Sequence, residues 1–195
     1  MNTDELKQEL QALLQETTVA LGATDQTYVR FLQAVNSAGK LSTPARLFQG
    51  QLVFFRYKPQ STQYVLGNKH YDKYPLVLIT DVYRGGFEGV NVHYLDPIRR
   101  SMMFDVLMRQ LPVIQGSEEW RNRLRVNYDR LNSRRQLKFF KPCYKKYLWK
   151  GIKRRPVIVP FELWEDMINS NTMKFEKAKP IKIFRESYKE AIKQR

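Results

Sequence analysis

The chain has 195 residues, a length typical of one domain with or without helical extensions, and 43% of its residues are hydrophobic, enough to form a core. Its single cysteine, Cys143, excludes an intrachain disulfide and indicates a reducing compartment. No stretch reaches the roughly 18 apolar residues that a membrane-spanning helix needs, and the acidic start NTDELKQEL differs from a signal peptide. We therefore expect a protein made in the cytoplasm that does not enter a membrane.

The positive charge is concentrated in one segment. The chain has a net charge of +15, and residues 121–155 contain fourteen Lys or Arg residues against one Asp. Folding does not need such a field, which costs self-repulsion and attracts polyanions or acidic protein surfaces. The alternative interpretation is a solvated basic face that only aids solubility. We expect a docking surface, because the charge exceeds what solubility requires.

Residues 1–40 are predicted to form a helical hairpin that serves as a docking arm. Asn2 and Glu5 suit a capping box at the start of the first helix, residues 2–21, whose leucines share one stripe. Gly22 ends that helix, and a second helix follows up to Gly39. Residues 41–195 are then expected to form the core domain.

Four segments of the core domain predict strands. They are QLVFFRY (51–57), PLVLITDVY (75–83), FEGVNVHYL (87–95) and PVIVP (156–160), and the RGG turn makes the middle two a hairpin. Pro75 suits a strand start or a sheet edge. With the helices below, the predicted fold class is α+β: a small antiparallel sheet or partial barrel flanked by helices.

Helical periodicity occupies most of the remaining core domain. Ile98, Met102, Leu107 and Leu111 recur at helical spacing after Pro97, which suits a first turn. A second stripe, from Trp120 to Leu131, predicts an amphipathic helix that begins at Ser117. Residues 134–150 are predicted to form two short helical pieces interrupted at Pro142. Further helices are predicted at 161–168 and 184–194.

Residues that could carry catalysis are sparse. His93 is predicted to be a satisfied core or edge histidine, and His70 could pair with Asp72. Neighbouring lysines would lower the pKa of Cys143, although a buried, inert thiol is the simpler interpretation. Two histidines and one cysteine show no metal-ligand spacing, so we predict no metal and no cofactor. We therefore predict that the protein is not an enzyme. The alternative is a metal-dependent nuclease whose site would be built from acidic residues scattered along the chain: Asp72, Asp81, Glu88, Asp96 and Asp105.

The basic segment supplies the predicted binding residues, which would contact nucleic-acid phosphates or an acidic partner surface. They are Arg121, Arg123, Arg125, Arg130, Arg134, Arg135, Lys138, Lys141, Lys145, Lys146, Lys150, Lys153, Arg154 and Arg155. Aromatic residues between them, such as Phe139 and Tyr144, could stack on bases. The competing interpretation is that most of these aromatics are core residues.

Three segments resemble a family of small structural proteins of T-even-type and related contractile-tailed phages: GQLVFFRYKP (50–59), HYDKYPLVLITDVYRGGFEGVNVHYLDPIRR (70–100) and RQLKFFKPCYKKYL (135–148). The family pattern has a "Y-D-x-x-P-L-V" core followed by "G-F-x-G-x-N-x-H-Y-L". The resemblance implies a virion part near the head–tail junction, the packaged DNA end or the tail baseplate, and implies no catalytic residues. Gly89, Asn91 and His93 are expected on one polar face, a potential subunit interface.

The leading functional prediction is therefore a structural component of a contractile-tailed bacteriophage virion. It would be present in the virion, and in the host cytoplasm during assembly. Its partners would be other virion proteins with acidic surfaces, within an oligomeric assembly, and DNA is the alternative partner. The alternative is a nucleic-acid-binding accessory protein that contacts phosphates through residues 121–155.

Overall fold

The computed structural model describes residues 47–59, 70–108, 142–153, 156–159, 161–169 and 173–193. These residues contain a five-stranded antiparallel sheet with helices. Its strands are β1 (Leu52–Phe54), β2 (Leu76–Tyr83), β3 (Gly86–Asn91), β4 (Tyr144–Leu148) and β5 (Val157–Ile158), in the order β4-β3-β2-β1-β5. The first four strands form a meander, and β5 returns to pair with β1.

The sheet is strongly curved. The ring of Phe55, directly after β1, lies 5.1 Å from that of Tyr147 in β4, although β2 and β3 separate these strands. In a flat sheet three strand spacings would separate them by about 14 Å. Phe55, Phe87 and Tyr147 pack together inside this curve with Val53 and Val77.

The opposite face of the sheet carries the main core. Side chains alternate along a strand, so Leu52 and Phe54 of β1 point away from Val53. Three helices accompany the sheet: α1 (Pro97–Met108), α2 (Trp164–Asn169) and α3 (Pro180–Lys193). Each helix contributes buried residues to the same cluster as Leu52, among them Met103, Trp164 and Ile183. Short 3-10 helices cover Val92–Tyr94, Trp149–Gly151 and Phe161–Leu163.

The predicted α+β class and antiparallel sheet are confirmed for this part of the chain. All four predicted strand segments contain strands, and Pro75 directly precedes β2. Helices are also present within or across the predicted segments 98–111, 161–168 and 184–194. The predicted hairpin of residues 1–40 and the helix beginning at Ser117 lie outside the described residues.

One element was assigned wrongly. The sequence predicts short helical pieces in 134–150, but residues 144–148 form β4. Tyr147 is buried while Leu148 is 47% exposed, as the two-residue period of a strand requires. Pairing with β3, more than fifty residues earlier in sequence, determines this structure, and local periodicity does not show such a partner.

The β2–β3 hairpin contains a bulge at Thr80. Ile79 pairs with Gly89 and Asp81 with Glu88, so Thr80 is the extra residue, and its hydroxyl donates to the Glu88 carbonyl at 3.1 Å. A Cβ on Gly89 would meet the Leu78 carbonyl oxygen. The absence of a side chain at Gly89 therefore permits close backbone approach beside the bulge.

Helix α1 begins as predicted but buries a different face. Its first turn starts at Pro97, and the Arg99 N–H donates to the Asp96 carboxylate at 3.0 Å as an N-cap. Ile98 and Met102 of the apolar stripe are 74% and 58% exposed, whereas Arg100 and Met103 are buried. No helix among the described residues is long and apolar enough to cross a bilayer.

Candidate functional site: a cationic groove

A groove of about 660 Å³ lies where four chain segments meet, and we call it the cationic groove. The segments come from residues 56–58, 71–74, 153 and 174–177. The described residues lining it comprise six cations, three tyrosines and one carboxylate: Arg56, Lys58, Lys73, Lys153, Lys174, Lys177, Tyr57, Tyr71, Tyr74 and Glu176. These side chains give the lining a net charge of +5.

Backbone hydrogen bonds hold the four segments side by side. The Lys153 N–H donates to the Arg56 carbonyl at 2.9 Å, the Tyr57 N–H to Lys73 at 2.9 Å, and the Lys73 N–H to Lys174 at 2.8 Å. The ladder continues the curved sheet beyond its regular strands. The cations of the four segments therefore lie on neighbouring strands of one curved ladder.

The charges in the groove are only partly compensated by ion pairing. Lys73 forms an ion pair with Glu176, and their hydrogen bond lowers the pKa of the Glu176 carboxyl. Both side chains are partly exposed, so this pair contributes little to stability. Neighbouring like charges on adjacent segments repel one another. An anion in the groove would offset that repulsion, so the arrangement can bind a polyanion.

Backbone strain occurs at the rim of the groove. Lys177 has a φ of 59°, the only positive φ among the described non-glycine residues. This left-handed conformation disfavours a side chain, and glycine would adopt it more easily. A lysine at this position therefore places a cation beside the groove at some conformational cost.

The predicted binding set is only partly in this groove. Lys153 lines it, whereas Lys150 is exposed outside its lining. Lys146 pairs with Glu88 at 3.0 Å, and Lys145 lies over the Tyr94 ring at 4.4 Å. Burial lowers the pKa of Lys145, and this contact gives it a structural role. The other predicted cations lie outside the described residues: Arg121, Arg123, Arg125, Arg130, Arg134, Arg135, Lys138, Lys141, Arg154 and Arg155.

The sequence did not identify most of the groove residues as binding residues, because the density of positive charge is highest in residues 121–155. A different signal was present. RYK (56–58), YDKY (71–74) and KFEK (174–177) each place aromatic residues next to cations. Each is too short to distinguish by itself. Only the fold brings these three segments together.

A buried polar network lies beneath the β2–β3 hairpin. The Asp72 carboxylate contacts His93 Nδ1 at 2.7 Å, and accepts from Asn91 Nδ2 at 3.2 Å and the Tyr74 N–H at 3.1 Å. Asn91 Nδ2 also donates to the Tyr147 hydroxyl at 2.9 Å. Asp72, Asn91 and His93 are at most 2% exposed. The network therefore joins structural elements and offers no route for a substrate.

This network corrects two expectations. Asp72 pairs with His93 and not with His70, whose Nε2 lies 3.5 Å from Glu186. Asn91 and His93 do not form an exposed polar face, because both are fully buried. The strand ends at Asn91, which caps the 3-10 helix that contains His93. Simple strand alternation consequently does not describe this segment.

The other residues considered for catalysis or metal binding have structural roles or lie apart from one another. Burial raises the pKa of the Cys143 thiol to about 12, opposite to the expected lowering, and confirms the simpler buried-thiol interpretation. Asp81 lies opposite Glu88 in the hairpin, while Asp96 caps α1. Within the described part of the chain, no three His, Cys, Asp or Glu side chains are arranged to hold a metal ion.

Comparisons with protein-family models, curated proteins and solved structures found no match for this chain.

Proposed function

We propose that the protein is a non-catalytic structural component of a contractile-tailed phage virion and docks onto an acidic partner through its basic surface. The cationic groove is the observation that supports docking best. Among the described residues, it brings six cations from four segments together against a single carboxylate, Glu176, which pairs with Lys73. Such a field attracts polyanions and acidic surfaces.

The virion assignment is supported by the sequence resemblance. The residues that carry it, from His70 to Arg100, form β2, β3 and the start of α1 and include the network around Asp72. These residues shape the scaffold that positions the groove. A structural role is consistent with side chains used for packing and hydrogen bonding within the chain.

Two measurements test the proposal. Mass spectrometry of purified particles of the encoding phage should detect the chain in the virion. Purified protein should also bind poly-glutamate or nucleic acid at about 50 mM salt and release it toward 200 mM, as an electrostatic contact requires. Absence from the particles would contradict the virion role, and failure to bind any polyanion at low salt would contradict docking through the basic surface.

A further inference from the structure

We propose that the cationic groove binds a single strand of nucleic acid, with lysines on its phosphates and Tyr71 against a base. This inference rests on the proposed docking function and names the chemical class of its partner. It also assigns the contact to residues outside the basic segment, apart from Lys153.

The kind of cation favours phosphates over an acidic protein surface. Among the described residues that line the groove, five of the six cations are lysines, and Arg56 is the exception. Protein–protein interfaces are enriched in arginine and depleted in lysine. Arginine forms two parallel hydrogen bonds with carboxylates and phosphates alike, and lysine binds phosphate oxygens as a point charge. A lysine-rich groove therefore fits a phosphodiester chain better than an acidic protein.

The dimensions of the groove favour a single strand over a duplex. Its volume of about 660 Å³ falls in the range of pockets that enclose small ligands, and it is too small to admit a double helix. Cations on four neighbouring segments can contact successive phosphates of an extended strand. A duplex could contact only the rim.

Two tyrosines give the groove an aromatic wall. Tyr57 is held in place because its ring packs edge-on against Phe55 and Tyr147, with centroids 6.2 and 5.0 Å away. Tyr71 is partly exposed and lines the groove beside Lys73. A partly exposed phenol ring next to phosphate-binding cations can stack on an unpaired base, which a duplex does not offer.

Fluorescence anisotropy with a labelled 15-residue oligothymidylate, a 15-base-pair duplex and poly-glutamate tests the inference. The groove variant is Lys58→Ala with Lys174→Ala, and its control is Lys189→Ala with Lys193→Ala in α3, which removes the same charge outside the groove. The wild type and control should bind oligothymidylate alike. In the groove variant, the slope of log affinity against log salt should be shallower by about 1.4, since each lost phosphate contact removes about 0.7.

Substitutions of Tyr71 test base stacking separately from charge, because they leave the charge of the groove unchanged. Tyr71→Leu should weaken oligothymidylate binding by about tenfold, while Tyr71→Phe keeps the ring and the affinity. Equal effects of the groove and control variants, equal binding of duplex, or no effect of Tyr71→Leu would overturn the inference. Binding of poly-glutamate without oligothymidylate would overturn it and leave the docking function standing. Loss of all polyanion binding would overturn both.

Discussion

The network around Asp72 makes a strong prediction about stability. Asp72→Ala removes an acceptor for three described contacts: His93 Nδ1 at 2.7 Å, the Tyr74 N–H at 3.1 Å and Asn91 Nδ2 at 3.2 Å. These groups lie in the interior, with Asn91 and His93 fully buried. Water cannot replace the carboxylate without entering the core.

The expected cost follows from leaving those groups without their partner. Each buried donor left without its acceptor costs about 1–3 kcal/mol, and three donors lose theirs here, so the total should be about 3 kcal/mol or more. Domains of this size are stable by about 5–15 kcal/mol, so the loss is a large fraction of the total. Asp72→Asn keeps the shape and one acceptor oxygen, and should cost less, about 1–3 kcal/mol.

Urea unfolding followed by tryptophan fluorescence measures this cost, since Trp164 is buried in the main core. Asp81→Ala is the matched control, because Asp81 is exposed and its described hydrogen bond is a local one with the Val82 N–H. The control should change the free energy of unfolding by no more than about 0.5 kcal/mol. If Asp72→Ala were as stable as this control, the network would have no structural role and the reasoning would be refuted.

Four further predictions concern single positions. Gly86→Ala should destabilise the protein by about 1–3 kcal/mol, because the new Cβ would meet the Tyr147 carbonyl oxygen. Gly85→Ala should be tolerated, because its Cβ would lie 3.5 Å from the nearest atom, in the Tyr83 ring. Thermal unfolding of the two variants checks this prediction. The Cys143 thiol, whose pKa burial raises to about 12, should react with iodoacetamide only after unfolding, and rapid labelling of native protein would contradict its burial. Burial lowers the pKa of His93 even though Asp72 is beside it, so the unfolded chain binds a proton more readily than the folded chain. The free energy of unfolding should therefore fall as the pH drops below about 6.5. An unchanged urea midpoint between pH 7.5 and 5.5 would be inconsistent with this prediction. Lys177→Gly should stabilise the fold by about 1 kcal/mol in urea unfolding, because glycine adopts the positive φ without strain. The same substitution should weaken oligothymidylate binding, because it removes a cation. A loss of stability would argue against strain at this position.

Local signals predicted the central hairpin well. PLVLITDVY is apolar and β-branched and RGG is a turn, so these local preferences agree with the hairpin. The alternation expected across 87–95 holds only as far as Asn91, where β3 ends. The same agreement holds for α1, where Asp96 and Pro97 mark the start of the helix. In these elements, nearby residues supply most of the information.

The sequence was less informative where distant contacts decide the structure. Tyr144–Leu148 becomes a strand because it pairs with β3, and Arg100 is buried because its guanidinium donates to the Leu95 and Ile168 carbonyls. A polar residue with such partners can occupy a core position that periodicity assigns to solvent. The apolar stripe containing Ile98 and Met102 consequently predicted the wrong buried face of α1.

The groove shows the same limitation for function. The charge excess in residues 121–155 predicted a basic docking surface, but the cations brought together in the described groove come mainly from three short segments elsewhere. Lys153 is the shared residue. Their convergence depends on the ladder between Arg56, Lys73 and Lys174, which tertiary structure alone defines.

Lysine acetylation footprinting of intact purified particles and of the free protein tests the central claim most directly. Mass spectrometry of the digests reports both the presence of the chain and the reactivity of each lysine. Lys58, Lys153 and Lys174 should be protected in the particle, while Lys189 and Lys193 of α3 should remain reactive. Absence of the chain from particles, or groove lysines as reactive there as in the free protein, would contradict docking through the cationic groove in a virion.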